Sequence, residues 1–103
     1  MSIIDWIVDW FTSNCDGDWE HENQIKIYTV SNPGWSVVID LRDTPLENVN
    51  IEYYLIEKSD TDWYDGISVK DSVFNAAGDV SKFSFLLEKF VELAKQEKEK
   101  TRW

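Results

Sequence analysis

The chain has 103 residues, 43% of them hydrophobic and 15% aromatic, which suits one core and leaves no room for a second domain. Ten Lys and Arg stand against twenty Asp and Glu, a net charge of −10 with a pI near 4.3; such a surface repels phosphate backbones, so direct binding to nucleic acid or to an anionic membrane is not expected. One Cys forbids an internal disulfide framework, no apolar run nears the roughly 20 residues that span a bilayer, and Met1-Ser2-Ile3-Ile4-Asp5 lacks the basic region of a signal peptide, so the expectation is a soluble, cytoplasmic protein.

From Ile3 to Phe11 the residues Ile3, Ile4, Trp6, Ile7, Val8, Trp10 and Phe11 fall on one broad helical arc, with Asp5, Asp9 and Thr12 opposite, an amphipathic helix whose tryptophans are expected to pack inward. Asn14, Asp16 and Gly17 supply the turn that stops it. From Gln24 the period becomes two, and Ser31-Asn32-Pro33-Gly34 separates Ile25–Val30 from a second strand carrying Trp35, Val37, Ile39 and Leu41 on one face, which predicts an antiparallel hairpin. After Thr44-Pro45 come apolar runs at Ile51–Ile56 and Trp63–Val69, then a Lys70-Asp71 turn and a short strand around Val73–Ala76. Beyond Gly78, Asp79 or Ser81 caps a second helix on which Phe83, Leu86, Leu87, Phe90, Val91, Leu93 and Ala94 share a face and Phe85 falls off it. The expected fold class is α+β: an N-terminal helix, an antiparallel meander of four to five strands, and a C-terminal helix, with both helices packed on one sheet face. The other face is left for solvent or a partner.

The charge is uneven along the chain. Residues 1–65 hold three bases, Lys26, Arg42 and Lys58, against fourteen acids, a net −11, whereas residues 66–103 sum to +1. The first 25 residues carry no base, only Asp5, Asp9, Asp16, Asp18, Glu20 and Glu22. Such a region can steer a basic partner into contact, or can simply keep a small protein soluble.

The segment Cys15-Asp16-Gly17-Asp18-Trp19-Glu20-His21-Glu22 contains the only Cys and the only His. A nucleophilic thiol works as thiolate and needs cationic neighbours or a paired base; Cys15 instead follows a helix among carboxylates, which oppose a further negative charge. A calcium loop counted from Asp16 would need Gly at its sixth position and Glu at its twelfth, where this chain has His21 and Ile27. One Cys and one His lack the spaced pairs of a structural metal site. No catalytic residue, metal ligand or cofactor is therefore assigned. The plain alternative is a helix-to-sheet connection anchored by Trp19, its acids in water.

Trp6 and Trp10, CDGDWEH at 15–21, Ile25-Lys26-Ile27, Asn32-Pro33-Gly34-Trp35 and Asp62-Trp63 resemble the immunity protein 53 family, from the first helix to about residue 63 and more loosely in the last helix. The resemblance implies a bacterial cytoplasmic protein encoded beside a polymorphic toxin and neutralising it by binding. Some relatives carry a sulfurtransferase label, which the setting of Cys15 opposes; a small thiol enzyme using Cys15 and His21, or an acidic adaptor for another basic protein, are the alternatives. The partner expected is a basic toxin domain acting on nucleic acid or NAD, because handling phosphates requires cationic groups. The expected toxin-binding residues are Asp16, Asp18, Glu20, His21 and Glu22, with Trp35, Tyr54 and Trp63 as aromatic anchors; Trp19 and Tyr64 are further aromatic candidates.

Overall fold

Alternating β-branched and polar residues on either side of Pro33-Gly34 favour two strands that fold back on each other. A computed structural model, which describes residues 2–31, 33–52, 55–59 and 62–100, contains that hairpin: β1 (Ile25–Val30) and β2 (Gly34–Asp40) pair antiparallel from Val30↔Gly34 to Ile25↔Ile39. Before it come helix α1 (Ile3–Asn14) and a single helical turn, α2 (Trp19–Glu22). After it come β3 (Leu55–Ser59), β4 (Asp62–Lys70), β5 (Val73–Asp79), a 3-10 turn at Val80–Lys82 and helix α3 (Phe83–Lys100). The arrangement is the expected α+β one, a helix, an antiparallel sheet and a helix.

The strand order departs from a meander. The sheet runs β1-β2-β5-β4-β3, so β5 sits beside β2 and the chain after β2 crosses to the far edge. Burial explains the choice. Phe74 and Ala76 of β5 are buried in the core that α3 covers, and β5 pairs with the whole of β2, from Asp40↔Val73 to Gly34↔Asp79. Strand β3 takes the opposite edge from β1. The third ladder also lies later than the apolar run at 51–56: Ile51 makes only an isolated bridge to Val69, with N–H···O distances of 2.9 and 3.0 Å.

The core lies between one sheet face and the helices. Val37, Ile39, Ile67, Val69, Phe74 and Ala76 from the strands meet Leu86, Leu87, Phe90, Val91, Leu93 and Ala94 from α3, closed at one end by Leu41 and Leu46. Phe90 meets Phe74 and Trp10 edge-on, with centroids 5.3 and 4.9 Å apart, the arrangement that the ring quadrupoles favour. Helix α1 starts at Ser2, whose Oγ accepts the Asp5 amide at 3.0 Å. It packs on the core through Ile3, Trp6, Ile7 and Trp10. The broad apolar arc read from the sequence is narrower in the structure, since Ile4 and Val8 are each 55% exposed. A helix laid at the margin buries one stripe, and these two residues fall beyond it. On α3, Phe85 is half-buried at the edge of the core with the Lys89 ammonium 5.1 Å from its ring centroid.

Asp79 ends β5 and caps the 3-10 turn. Its carboxylate is almost fully buried and accepts hydrogen bonds from the Trp63 amide (2.9 Å), the Ser81 amide (2.8 Å), the Ser81 hydroxyl and the Lys82 ammonium (2.7 Å). The Lys82 charge and the Ser81 hydroxyl, with the amides, hold its carboxyl far below the ordinary carboxylate range against the cost of burial. Among the described residues no helix is long and apolar enough to cross a membrane.

Candidate functional site: an acidic concavity beside the hairpin

Helix α1 cannot run on into β1, and the turn between them is built from its own carboxylates. Gly17 takes φ +99°, a left-handed conformation that side chains resist. The Asp16 carboxylate accepts the amides of Asp18 (2.9 Å) and Trp19 (2.8 Å). Glu20 reaches back and accepts the amides of Asp16 (3.0 Å) and Gly17 (3.0 and 3.1 Å). The two carboxylates thus take up four successive backbone amides, from Asp16 to Trp19, where the short α2 starts. Backbone amides lower both carboxyl pKa values, those of Trp19 and Asp18 for Asp16, and those of Glu20 itself, Gly17 and Asp16 for Glu20.

Trp19 fixes this turn to the sheet. Its ring is buried, flanked by Phe11 and Trp10 at centroid distances of 5.4 and 6.3 Å. Its indole N–H donates to the Arg42 carbonyl at 2.6 Å, just past the end of β2. Asn23 is buried too, and its amide group donates to the Trp19 carbonyl at 3.0 Å. Gln24 then enters β1, its amide held by the Asp40 carboxylate at 2.9 Å.

Between the turn and the end of β2 is a concavity of about 310 Å³ lined by Asn14, Asp16, Asp18, Trp19, His21, Glu22, Asn23 and Asp43. Of the residues read from the sequence, Asp16, Asp18, His21 and Glu22 meet here. Glu20 does not line it. Asp43 does, although sequence reasoning missed it. It lies more than twenty residues from the others in the chain and is brought in by the Trp19 to Arg42 hydrogen bond and by its own left-handed backbone (φ 60°). Asp is one of the few residue types that accept that conformation readily, and this was the one local signal available. Asp18, His21, Glu22 and Asp43 are exposed, and among the described residues the carboxylates of Asp18, Glu22 and Asp43 form no ion pair.

The tryptophans expected as aromatic anchors lie elsewhere. Trp35 is half-buried and stacks on Phe83, 4.5 Å between centroids, on the helix side of the sheet. Trp63 is buried outside that core. An added side-chain carbon on Gly34 would strike the Gly78 carbonyl and lie 2.8 Å from the Trp63 ring, so the ring lies over Gly34. Only a glycine fits there. Neither tryptophan reaches the acidic concavity; each is held by packing. Tyr54 lies outside the described residues, as does the side chain of Tyr64.

Cys15 is half-buried, its thiol donating to the Phe11 carbonyl at 3.3 Å. Desolvation, then the charges of Glu20 and Asp16, push its pKa up, the reverse of what a nucleophile needs. It does not line the concavity that holds His21. Among the described residues no three His, Cys, Asp or Glu side chains are grouped as a metal site requires.

Fold and site together define an acidic α+β domain in which the exposed carboxylates of Asp18, Glu22 and Asp43 are gathered at one end of a hairpin. The model of the family described as immunity protein 53 matches residues 4–95, nearly the whole chain, and the chain belongs to that family. The match extends past residue 63 into α3, further than the motifs alone carry the resemblance. Comparison with curated proteins and with solved structures returns no match.

Proposed function

We propose that this immunity protein neutralises a cognate toxin of a bacterial polymorphic toxin system in the cytoplasm, by docking its acidic concavity over a basic region of the toxin and without chemistry of its own. The observation that carries the reading is the gathering of Asp18, Glu22 and Asp43, exposed and unpaired, around one concavity on a chain of the immunity protein 53 family. Arg or Lys groups that hold a phosphate-bearing substrate, whether nucleic acid or NAD, suit such a surface, since the inhibitor offers carboxylates in place of phosphates. Asp16 and Glu20 serve the docking surface by shaping the turn. His21, at the rim, adds a donor or acceptor.

The test is a titration against the toxin domain encoded beside this protein. Reversing Asp18 and Glu22 to Lys, together with Asp43→Asn, which removes the charge and keeps a residue that accepts the left-handed backbone, should weaken binding by about 100-fold or more, because charge reversal opposite a basic surface costs several kcal/mol. Thermal unfolding should shift little, as exposed substitutions usually change stability by about 0.5 kcal/mol or less each. The wild-type association rate should also fall markedly between about 50 and 500 mM salt, where the Debye length shrinks from roughly 14 to 4 Å. A triple variant that melts normally and binds with unchanged affinity would move the docking surface off this concavity.

A further inference from the structure

The two edges of the sheet are built differently. The β3 edge pairs with β4 in a register that shifts between Glu57 and Ser59; irregular pairing is one of the devices that keep an edge from joining another sheet. The β1 edge has no such irregularity and only one charge, Lys26. Its sequence is Ile-Lys-Ile-Tyr-Thr-Val, its register with β2 is unbroken, and Ile27 and Tyr28 are 43% and 50% exposed.

The backbone of that edge is open. The Asp40 amide donates to the Gln24 carbonyl at 3.1 Å, so in the antiparallel register Lys26 and Tyr28 direct their N–H and C=O groups at β2, while Ile25, Ile27 and Thr29 direct theirs outward. Among the described residues nothing takes up those outward groups. A row of free donors and acceptors under exposed apolar side chains is a template for another strand.

We propose that the occupant is the β1 edge of a second copy of this chain, paired antiparallel about a two-fold axis at Ile27, which joins two sheets into one of ten strands. In that register Ile27 faces the partner's Ile27 in a hydrogen-bonded pair, and Ile25 faces the partner's Thr29. On the other sheet face Lys26 lies directly across from the partner's Tyr28, where an ammonium can rest on the aromatic ring. The strand is therefore complementary to itself. Charge argues for a second copy over a basic partner: β1 contains no acid, and its one charge is Lys26. The pairing leaves the helices of both copies on the same face of the joined sheet, as a two-fold axis perpendicular to the sheet requires.

Five residues of edge pairing bury less than a standard interface, and two chains of charge −10 repel, so the dimer should be weak, concentration-dependent and favoured by salt. That salt dependence is opposite in sign to the one expected for toxin binding. Sedimentation of the full chain between about 5 and 500 µM, at about 50 and 500 mM NaCl, should give a mass rising from monomer toward dimer, further at the higher salt. Ile27→Pro removes an outward N–H that β2 does not use, and should stay monomeric across the range. Ile27→Lys puts like charges on the two-fold axis and should do the same if the proline variant fails to fold. Wild-type protein that remains monomeric at the highest concentration and salt overturns the proposal and leaves this edge to another partner, a strand of the toxin included. A dimer that folded Ile27→Pro or Ile27→Lys leaves intact overturns it as well.

Discussion

Asp79 and the carboxylates around the 16–22 turn carry the same functional group in opposite circumstances. Asp79 is buried, and the surrounding donors, one of them a lysine, come from β4 and from the turn that opens α3. Asp18, Glu22 and Asp43 are exposed around a concavity, and their side chains have no ion pair among the described residues. Between the extremes stand Asp16 and Glu20, exposed to water but engaged with backbone amides. Formal charge counts all of these alike. What separates an acid that holds the fold from one left to meet a partner is the number of donors the surrounding backbone aims at it, because each donor satisfied inside the protein is one that a ligand cannot supply.

The comparison can be broken most severely at Trp19, which joins the acidic turn to the sheet. Trp19→Ala removes a buried ring and its hydrogen bond to Arg42, and should cost about 3–5 kcal/mol in chemical denaturation. It should also weaken toxin binding in the molecules that remain folded, since Asp43 loses its tie to the turn. Unchanged stability would show that the ring anchors nothing.

Next in size is Asp79→Ala, which leaves the Trp63 amide without its acceptor and should cost about 2–3 kcal/mol, or roughly 10–20 °C of melting temperature in a domain this size. Toxin affinity of the folded protein should be unaffected. The pH dependence follows from the lowered pKa. An unfolded Asp titrates near 3.9, while the folded Asp79 carboxyl titrates well below that. Its contribution is thus complete above about pH 4 and is lost progressively as the pH falls toward the folded value. Denaturation curves measured between pH 7 and pH 2 should accordingly converge for wild type and Asp79→Asn as the acid is approached; curves that stay parallel would assign the acid sensitivity to other groups.

A smaller effect distinguishes the acids within the turn. Glu20→Gln weakens the acceptor for the Asp16 and Gly17 amides and should lower the melting temperature more than Asp18→Asn does, whereas Asp18→Asn should lower toxin affinity more. If both variants lose affinity without losing stability, Glu20 belongs with the docking acids. The smallest change is expected at Cys15. Cys15→Ser retains a donor for the Phe11 carbonyl and should neutralise toxin as wild type does, and the wild-type Cys15 thiol should react with iodoacetamide no faster than an ordinary free thiol at neutral pH.

The chain spells out its local structure plainly. The 3.6-residue spacing of Ile3, Trp6, Ile7 and Trp10, the two-residue alternation from Ile25 to Leu41 around Pro33-Gly34, and the apolar stripe from Phe83 to Ala94 specify helix, hairpin and helix, because each pattern needs only residues a few positions apart. The acidic, cation-free 16–22 segment and the unfavourable setting of Cys15 can be read in the same way. Tertiary structure alone decided the rest. It placed β5 beside β2, since strand order depends on which faces α3 can cover. It laid Trp63 over Gly34, from a strand two places away in the sheet, and buried it, and it brought Asp43 into the site. Each of these is set by contacts between residues that no repeat along the chain connects, and burial, which selects among such contacts, is a property of the assembled layers.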